Sequence, residues 1–287
     1  MECKVCGHVN GSILFPFSDQ RNIWKCNACG LQYLHPVLEK DELIRLYSKD
    51  YYKSWGLDQE QLYAGLERVK KSTFELRIKL IQKYKSGGNI LDIGCANGFF
   101  LEVARDKGFN PFGIEISEYS ARLAAQKFGK DKIFNGVLEE AKFPEPMEVI
   151  TMFDLIEHVY DPVDLLKRAK ALLKENGIIV ITTPNTSSLS NKLMGRKWTH
   201  YKLEHFFYFN LDNIKIAAEQ AGLKVLEGSK SQKKLSIEYI CNQFKIYKHP
   251  LLSPLAGIAE MALPAALKKK PLGFYLGEFT VVLQKIA

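Results

Sequence analysis

Four cysteines, two strand-end acids and a Glu-His pair are the residues of this chain whose types and spacing could do chemistry. Cys3-Lys-Val-Cys6-Gly7 and Cys26-Asn-Ala-Cys29-Gly30 are two C-x-x-C-G turns with 19 residues between them. Each such turn aims two thiolates at one metal ion, and the trailing glycine permits the tight knuckle. Two knuckles complete a tetrahedron with no open position, so the expected metal is a structural zinc held by Cys3, Cys6, Cys26 and Cys29. A redox role needs only one such pair, and disulfides are not expected without secretion. Cys95 and Cys241 stand outside this pattern and read as packing residues.

The strand-end acids predict a different chemistry. Residues 89–98, N-I-L-D-I-G-C-A-N-G, read as a buried strand that runs into a glycine turn and then a helix. Gly94 lets the chain turn where a Cβ would clash. At Gly98 the missing side chain lets a ligand or a strand approach closely. The helix start presents free backbone N–H groups that favour an anion. A dinucleotide fingerprint would read G-x-G-x-x-G and a P-loop would end in G-K-[ST]. The spacing here is Asp92-x-Gly94-x-x-x-Gly98, with the acid inside the apolar strand. A carboxylate there repels a pyrophosphate and suits a ligand that carries positive charge. S-adenosylmethionine, with its ammonium, sulfonium and carboxylate, is such a ligand. D-I-G-C-A-N-G resembles the glycine-rich first motif of class I S-adenosylmethionine-dependent methyltransferases. The next strand ends in Glu115, 23 residues after Asp92. In doubly wound sheets an acid about 20 residues past the glycine turn binds ribose hydroxyls, because both strand ends open on one crevice.

Methyl transfer from a sulfonium to a hydroxyl needs an aligned acceptor and a group to take its proton. Thr151-Met-Phe-Asp154-Leu-Ile-Glu157-His158-Val-Tyr-Asp161-Pro162 supplies candidates just past the fourth strand. Histidine titrates near neutrality, so His158 is the candidate base with Glu157 beside it; the bland alternative is a histidine that only orders the loop. Asp161-Pro162 opens the next helix as cap and first residue. This segment, with the later G-I-I-V-I-T-T-P-N run at 177–185, resembles the branch containing the ubiquinone-biosynthesis O-methyltransferases and zinc-ribbon methyltransferases of sugars or lipids.

The resemblance is specific over 89–185 and implies roles residue by residue. Asp92, Gly94, Cys95, Ala96 and Gly98 would line the methionine part of the cofactor, and Glu115 with Ile116 the ribose. Asn135, Gly136, Val137 and Leu138 would sit by adenine, where the family often has an acid in place of Val137. Phe153 and Asp154 would close the site. In ubiquinone-type enzymes the positions of Asp154, Glu157 and His158 can hold a divalent cation; the first acid here is a methylene shorter. The [DN]-P-P-[YF] signature of amine-directed enzymes is replaced by F-D-L-I, which disfavours that class.

The elements that must position these residues alternate strand and helix from residue 89 onward. Strands are expected near 89–93, 111–116, 132–135, 148–153 and 177–183, and helices near 72–86, 97–108, 117–128, 162–175 and 211–221. Stretches 223–228 and 274–285 read as the last two strands. The expected fold is α/β and Rossmann-like: a mostly parallel seven-stranded sheet with helices on both faces, whose last strand the resemblance makes antiparallel. The expected division is a zinc ribbon at 1–36, a helical connector at 37–71 and the catalytic domain at 72–287. The connector carries an aromatic group, Tyr47, Tyr51, Tyr52 and Trp55. Two insertions are expected: 185–210, rich in aromatics and histidine, as the acceptor pocket, and 229–273, basic and apolar.

Composition bounds the partners. The chain has 287 residues, 46% hydrophobic and 25% charged, which is ordinary for a soluble globular protein. Met1 is followed at once by Glu2-Cys3 with no charged-then-apolar leader, so the expected location is cytoplasmic. Of the net charge of +8, six units fall in 229–273, outside the expected catalytic sheet. Within it, 251–267 has one charge in 17 residues and basic flanks. That pattern suits peripheral membrane contact through 245–270, or a buried contact. A small-molecule hydroxyl (sugar, lipid-linked or phenolic) is the expected acceptor. An RNA base methyltransferase and a non-catalytic scaffold are the alternatives. Against RNA, the ribbon loop lacks a dense basic-aromatic surface.

Overall fold

The computed structural model describes residues 2–18, 20–39, 41–42, 60–246, 254, 257–258, 261–268 and 270–286. Tyr47, Tyr51, Tyr52 and Trp55 of the connector lie outside these residues, as do residues 247–253 of the segment expected to touch a membrane. The ribbon supplies β1 (Gly11–Ser18), β2 (Arg21–Cys26) and β3 (Gln32–His35). A helix, α1 (Glu60–Gln82), precedes β4 (Gly88–Ile93), α2 (Phe99–Asp106), β5 (Phe109–Glu115), α3 (Glu118–Phe128) and β6 (Ile133–Asn135). Then come β7 (Met147–Phe153), α4 (Pro162–Leu172), β8 (Leu173–Pro184), α5 (Leu189–Met194), β9 (Phe207–Tyr208) and α6 (Leu211–Gln220). The chain closes with β10 (Leu223–Leu235), α7 (Ile237–Ile246), α8 (Ala265–Lys268) and β11 (Leu272–Lys285).

Seven strands form one sheet in the order β10-β11-β8-β7-β4-β5-β6. The pairs from β8 to β6 are parallel, and β11 runs antiparallel between β8 and β10. Side chains alternate across the strands, so each strand feeds two cores. Ile90, Val149, Ile178, Val180 and Val282 pack against Ile78 and Ile81 of α1, Phe100, Leu101 and Ala104 of α2, and Ala121 and Ala124 of α3. Leu91, Ile150, Met152, Ile179, Ile181, Val281 and Leu283 pack on the opposite face with Leu165, Leu166 and Ala169 of α4 and Ile214, Ala217 and Ala218 of α6. The helix starts follow the sequence: the Ser117 side chain caps α3, and Asp161 caps α4 with Pro162 in its first turn.

Two expectations change. β10 and β11 pair out to Leu235 and Leu272, so 229–235 is a strand of the sheet, not insertion. The partner strand that stabilises it lies 37 residues downstream at Leu272, and polar alternation alone does not announce such a pairing. Lys230, Lys233 and Lys234 therefore belong to the catalytic sheet, and their charge is not outside it. The first helix also starts at Glu60, well before residue 72.

The ribbon is joined to the rest of the fold through a second sheet, β1-β2-β3-β9, whose fourth strand comes from the 185–210 segment. Tyr33 pairs with Phe207 and Gln32 with Tyr208. Its apolar residues have no separate core. Val5, Leu31, Tyr33 and Leu38 enter the sheet-face core beside Phe206 and Phe207. Ile23 and Leu34 pack with Trp198 and Tyr208. Trp198 is fully buried at this joint. Trp198→Ala is expected to lower stability by about 3–5 kcal/mol, read as a shifted urea midpoint at constant m value.

Candidate functional site

The glycine turn after β4 is held by backbone geometry that side chains rarely adopt. Gly94, Ala96 and Gly98 have φ of 81°, 46° and 77°. A Cβ on Gly94 would come 3.1 Å from the Leu155 side chain, and one on Gly98 would meet the Phe128 ring at 2.9 Å. Gly98 is thus required by the packing of α3 against the turn. The amides of Gly94 and Cys95 donate to the Ile114 carbonyl at 2.8 and 3.0 Å, which ties the turn to β5.

Asp92 and Glu115 stand on adjacent parallel strands, where Ile114 pairs with Ile93. Glu115 is buried, and its two oxygens accept the amides of Ala96 at 2.9 Å and Ser117 at 2.8 Å. It braces the turn against the start of α3 and keeps lone pairs for further donors. Burial raises its carboxyl, and these amides pull it back. Asp92 is also buried and accepts from the Thr151 hydroxyl of β7 at 2.6 Å. Burial pushes its carboxyl up to about 7, against the pull of Thr151 and Arg77 and with the charge of Glu115.

Asp92 borders a crevice where the strand order reverses, between β4 and β7. A cleft of about 300 Å3 opens there. Asp92, Gly94, Cys95, Ala96, Phe153, Asp154, Glu157 and His158 line it. Gly98, Glu115, Ile116, Gly136, Val137 and Leu138 lie outside that lining, toward β5 and β6. The last group is nevertheless tied to Glu115: the Asn135 side chain and the Gly136 amide donate to its carbonyl at 2.8 and 3.1 Å. Ile116 and Val137 are exposed and Leu138 is buried.

The far wall contains residues that sequence reasoning missed. Arg77 of α1 is 5% exposed, yet its Nε and Nη2 atoms donate to nothing among the described residues. Its guanidinium lies over the Phe153 ring at 4.4 Å and the Phe74 ring at 5.4 Å. A buried, half-satisfied guanidinium in a cleft is an anion site. The signal was an arginine on the apolar face of a helix, one residue before Ile78. Lys233 of β10 bridges Asp154 at 3.3 Å and Glu278 of β11. Burial opposes ionisation of Asp154, but Lys233, Arg77 and Lys70 overcome it and hold the carboxyl low. Asp154 itself has a left-handed φ of 56° at the end of β7.

Glu157 and His158 sit in a single helical turn after β7. Glu157 is 1% exposed; one oxygen accepts from the Thr183 hydroxyl at 2.9 Å and the other has no hydrogen-bond partner among the described residues. Burial, then the charge of Asp154, push its carboxyl up to about 8. His158 Nδ1 donates to the Glu204 carbonyl at 2.9 Å, so the neutral ring carries its lone pair on Nε2. Burial holds its basicity down to about 4. His205 stands edge-on to it, ring centroids 4.6 Å apart, with Nδ1 buried and unbonded.

These positions correct the expected cation site. Asp154 is taken by Lys233 and Arg77, whose charges disfavour a metal there. The donors that converge are Glu157, His158 and His205, all within 4.8 Å of one another. Two of them have buried atoms without partners, which fits a divalent cation.

The four ribbon cysteines also converge within 4.8 Å, with Cys3 and Cys29 sulfurs 3.6 Å apart and those of Cys6 and Cys26 likewise. A tetrahedral zinc with Zn–S bonds of about 2.3 Å places its sulfurs about 3.8 Å apart. Gly7 and Gly30 both have φ of 72°, as the knuckle requires.

Comparison with known proteins places this geometry. A family model described as a methyltransferase domain matches residues 66–227. The ubiquinone biosynthesis O-methyltransferase of Stutzerimonas stutzeri (strain A1501) is 30% identical over 136 residues, 45% of this chain and 57% of that protein. The mitochondrial ubiquinone biosynthesis O-methyltransferase of Schizosaccharomyces pombe is 31% identical over 127 residues, 42% of this chain and 44% of that protein. The chain spans about half the length of these curated relatives. Among solved structures, a methyltransferase from Archaeoglobus fulgidus superposes with a TM-score of 0.51 at 18% identity, covering 76% of this chain and 94% of that one. One from Thermotoga maritima gives 0.51 at 17% identity, covering 83% and 96%. These likenesses show the fold.

Proposed function

The chain belongs to the class I S-adenosylmethionine-dependent methyltransferases, and from that premise we propose that it methylates a hydroxyl of a small-molecule acceptor: a sugar, a lipid-linked alcohol or a phenol. One observation carries the choice of a hydroxyl. His158 lines the same cleft as the Asp92 turn, and its Nδ1–H is committed to the Glu204 carbonyl. The ring is neutral at physiological pH and positioned to take a proton.

Bound S-adenosylmethionine supplies a methyl group already activated by the sulfonium. Asp92 and the 94–98 turn would face its methionine part, and Glu115 with Ile116 its ribose. Asn135, Gly136, Val137 and Leu138 would border the adenine. Arg77 is the fitting partner for its carboxylate, since its buried Nε and Nη2 make no hydrogen bond among the described residues and Asp154, 3.9 Å from Nη2, is held by Lys233. Phe153 and Asp154 close the wall beside it. Glu157 is protonated at neutral pH when the cleft is empty, so it holds the Thr183 contact and does not act as the base.

A cation reading is favoured by the unbonded Glu157 oxygen and His205 Nδ1. In that second reading Glu157, His158 and His205 would hold a divalent cation that draws an acceptor oxygen to the cleft and lowers the pKa of its hydroxyl, and His158 Nε2 would be a ligand in place of the base. Zinc is proposed for the four cysteines, as a closed structural site.

Calorimetry with S-adenosylmethionine and transfer of a labelled methyl to a catechol, a free hexose, a nucleotide-linked hexose and a polyprenyl alcohol test the reading. Uptake of the cofactor with labelling of at least one acceptor is expected. Uptake with transfer only to RNA would replace this function with a nucleic-acid one. Thermal stabilisation by Mn2+ or Mg2+ that Glu157→Gln abolishes is expected if the cation reading holds.

A further inference from the structure

The ribbon and the acceptor side of the cleft are one mechanical unit. Its β3 pairs with β9, and the Leu34 amide donates to the Phe206 carbonyl at 2.9 Å. The Phe206 amide in turn donates to the Glu157 carbonyl at 2.7 Å. One residue earlier in the chain lies His205, and before it Glu204, whose carbonyl accepts from His158. Two side-chain ties fasten the same joint. The Tyr201 hydroxyl donates to Gln32 Oε1 at 2.6 Å, and the Asn213 side-chain amide donates to the carbonyl of Cys29. The backbone from the cysteine knuckle to the histidine is thus a short, continuous hydrogen-bonded path.

We propose that the four-cysteine ribbon is a positioning device for the acceptor site: through β3 and β9 it fixes residues 204–206 against Glu157 and His158. The argument is one of reach. β9 has only two residues, and a strand that short has no independent stability. Residues 195–206, between α5 with its following turn and β9, contain no sheet pairing of their own. Residues 204–208 are held in backbone register by the ribbon edge on one side and the Phe206–Glu157 bond on the other, while Trp198 and His200 are tied to Ser190 and Leu276 and the chain after β9 to Thr186. The knuckles define the ribbon edge, because the Cys26 amide donates to the Leu31 carbonyl and Gln32 opens β3 directly after it. Releasing the metal frees both knuckles and, with them, the template for β9. The cofactor half of the cleft is built from β4, β5 and α1 and, among the described residues, has no hydrogen bond to β3. The hydrogen-bonded path from the ribbon therefore runs to the acceptor half, and the ribbon meets the rest of the sheet through apolar packing in the shared core. Cys3, Cys6, Cys26 and Cys29 are the control point, and Gln32, Tyr201 and Asn213 are positioning residues.

The inference rests on reading His158 as the group that faces the acceptor, and its test does not depend on turnover. Amide exchange of the full-length, zinc-loaded protein is compared with that of the same protein after zinc is withdrawn by a chelator. Exchange in the peptide spanning 203–209 is expected to rise by about tenfold or more, with β4 and β5 unchanged. The dissociation constant for S-adenosylmethionine, by calorimetry, is expected to stay within about threefold, since among the described residues the hydrogen bonds of Asp92 and Glu115 run to β7 and the turns and none to the ribbon. Gln32→Ala provides a variant that keeps all four cysteines. It should retain zinc and raise exchange at 203–209 by about fivefold, the worth of one lost hydrogen bond. With an acceptor identified by labelling, Gln32→Ala should lower kcat and leave the KM for S-adenosylmethionine unchanged. Unaltered exchange at 203–209 in both the zinc-free and the Gln32→Ala protein would overturn the proposal. So would a zinc-free protein that loses cofactor uptake together with protection throughout the sheet, because the ribbon would then support the whole fold. A zinc-loaded protein that takes up no S-adenosylmethionine would instead refute the methyltransferase reading and leave this coupling standing.

Discussion

His158→Ala should reduce methyl transfer by about 10²–10⁴-fold while the affinity for S-adenosylmethionine stays as it was. The asymmetry follows from position. His158 hangs from the turn after β7, with its Nδ1–H committed to the Glu204 carbonyl at 2.9 Å. The cofactor contacts assigned to Asp92, Arg77 and the glycine turn do not pass through the imidazole. His158→Gln is the informative companion, because its amide can still donate to the carbonyl but cannot take a proton. It should be nearly as inactive as the alanine variant. The pH profile adds a second check. Burial holds the imidazolium down to about 4, so the ring is an unprotonated base throughout the physiological range. At saturating cofactor, kcat should therefore stay level from neutrality down to about pH 5 and fall only as pH approaches the pKa of His158. A histidine of ordinary basicity would lose activity around 6.5. Full turnover in His158→Ala would remove the base assignment.

Asp92→Ala is expected to abolish measurable cofactor binding, a loss of about 3 kcal/mol or more for removing one partner of a buried charge pair. Asp92 is 4% exposed and its carboxylate accepts from the Thr151 hydroxyl at 2.6 Å. The sign of the pH effect is fixed by the direction of its shift. Burial raises the carboxyl to about 7, so below that pH the cleft is increasingly neutral at this point. A ligand bearing an ammonium and a sulfonium prefers the ionised form. The dissociation constant should rise by up to about tenfold per pH unit below 7 and level off above it. Asp92→Asn should bind weakly and lose this dependence. A binding isotherm that ignores pH between 5 and 8 would show that Asp92 does not meet the positive charge.

The parallel core was legible because its strands are apolar on both faces. Runs such as I-L-D-I and I-I-V-I-T-T give the same answer under any period, and glycine or proline marks their ends. The acids at 92 and 115 were readable for the same reason: each interrupts or ends such a run. Arg77, Lys233 and Glu278 were not, because what makes them part of the site is a partner far away in the chain. Lys233 meets Asp154 across the sheet, and in the sequence it is one lysine among several on a polar strand. The place of β9 was hidden likewise. Phe207-Tyr208 is two residues long and becomes a strand only because Gln32 and Tyr33 lie beside it. The apolar and histidine-rich character of 185–210 set it apart in the sequence; the ribbon strand that pairs with it did not announce itself.

The edge of β3 has a practical corollary for anyone who trims the protein. A version beginning at α1 would keep every residue assigned to the cofactor. It would also strip the cover from Trp198, Phe206 and Phe207 and leave β9 with no neighbour to template it. Bared aromatic surface of that kind is a liability for self-association. The minimal catalytic fragment would then be the sticky, poorly behaved form, because the small appendage at the front is what covers that aromatic surface.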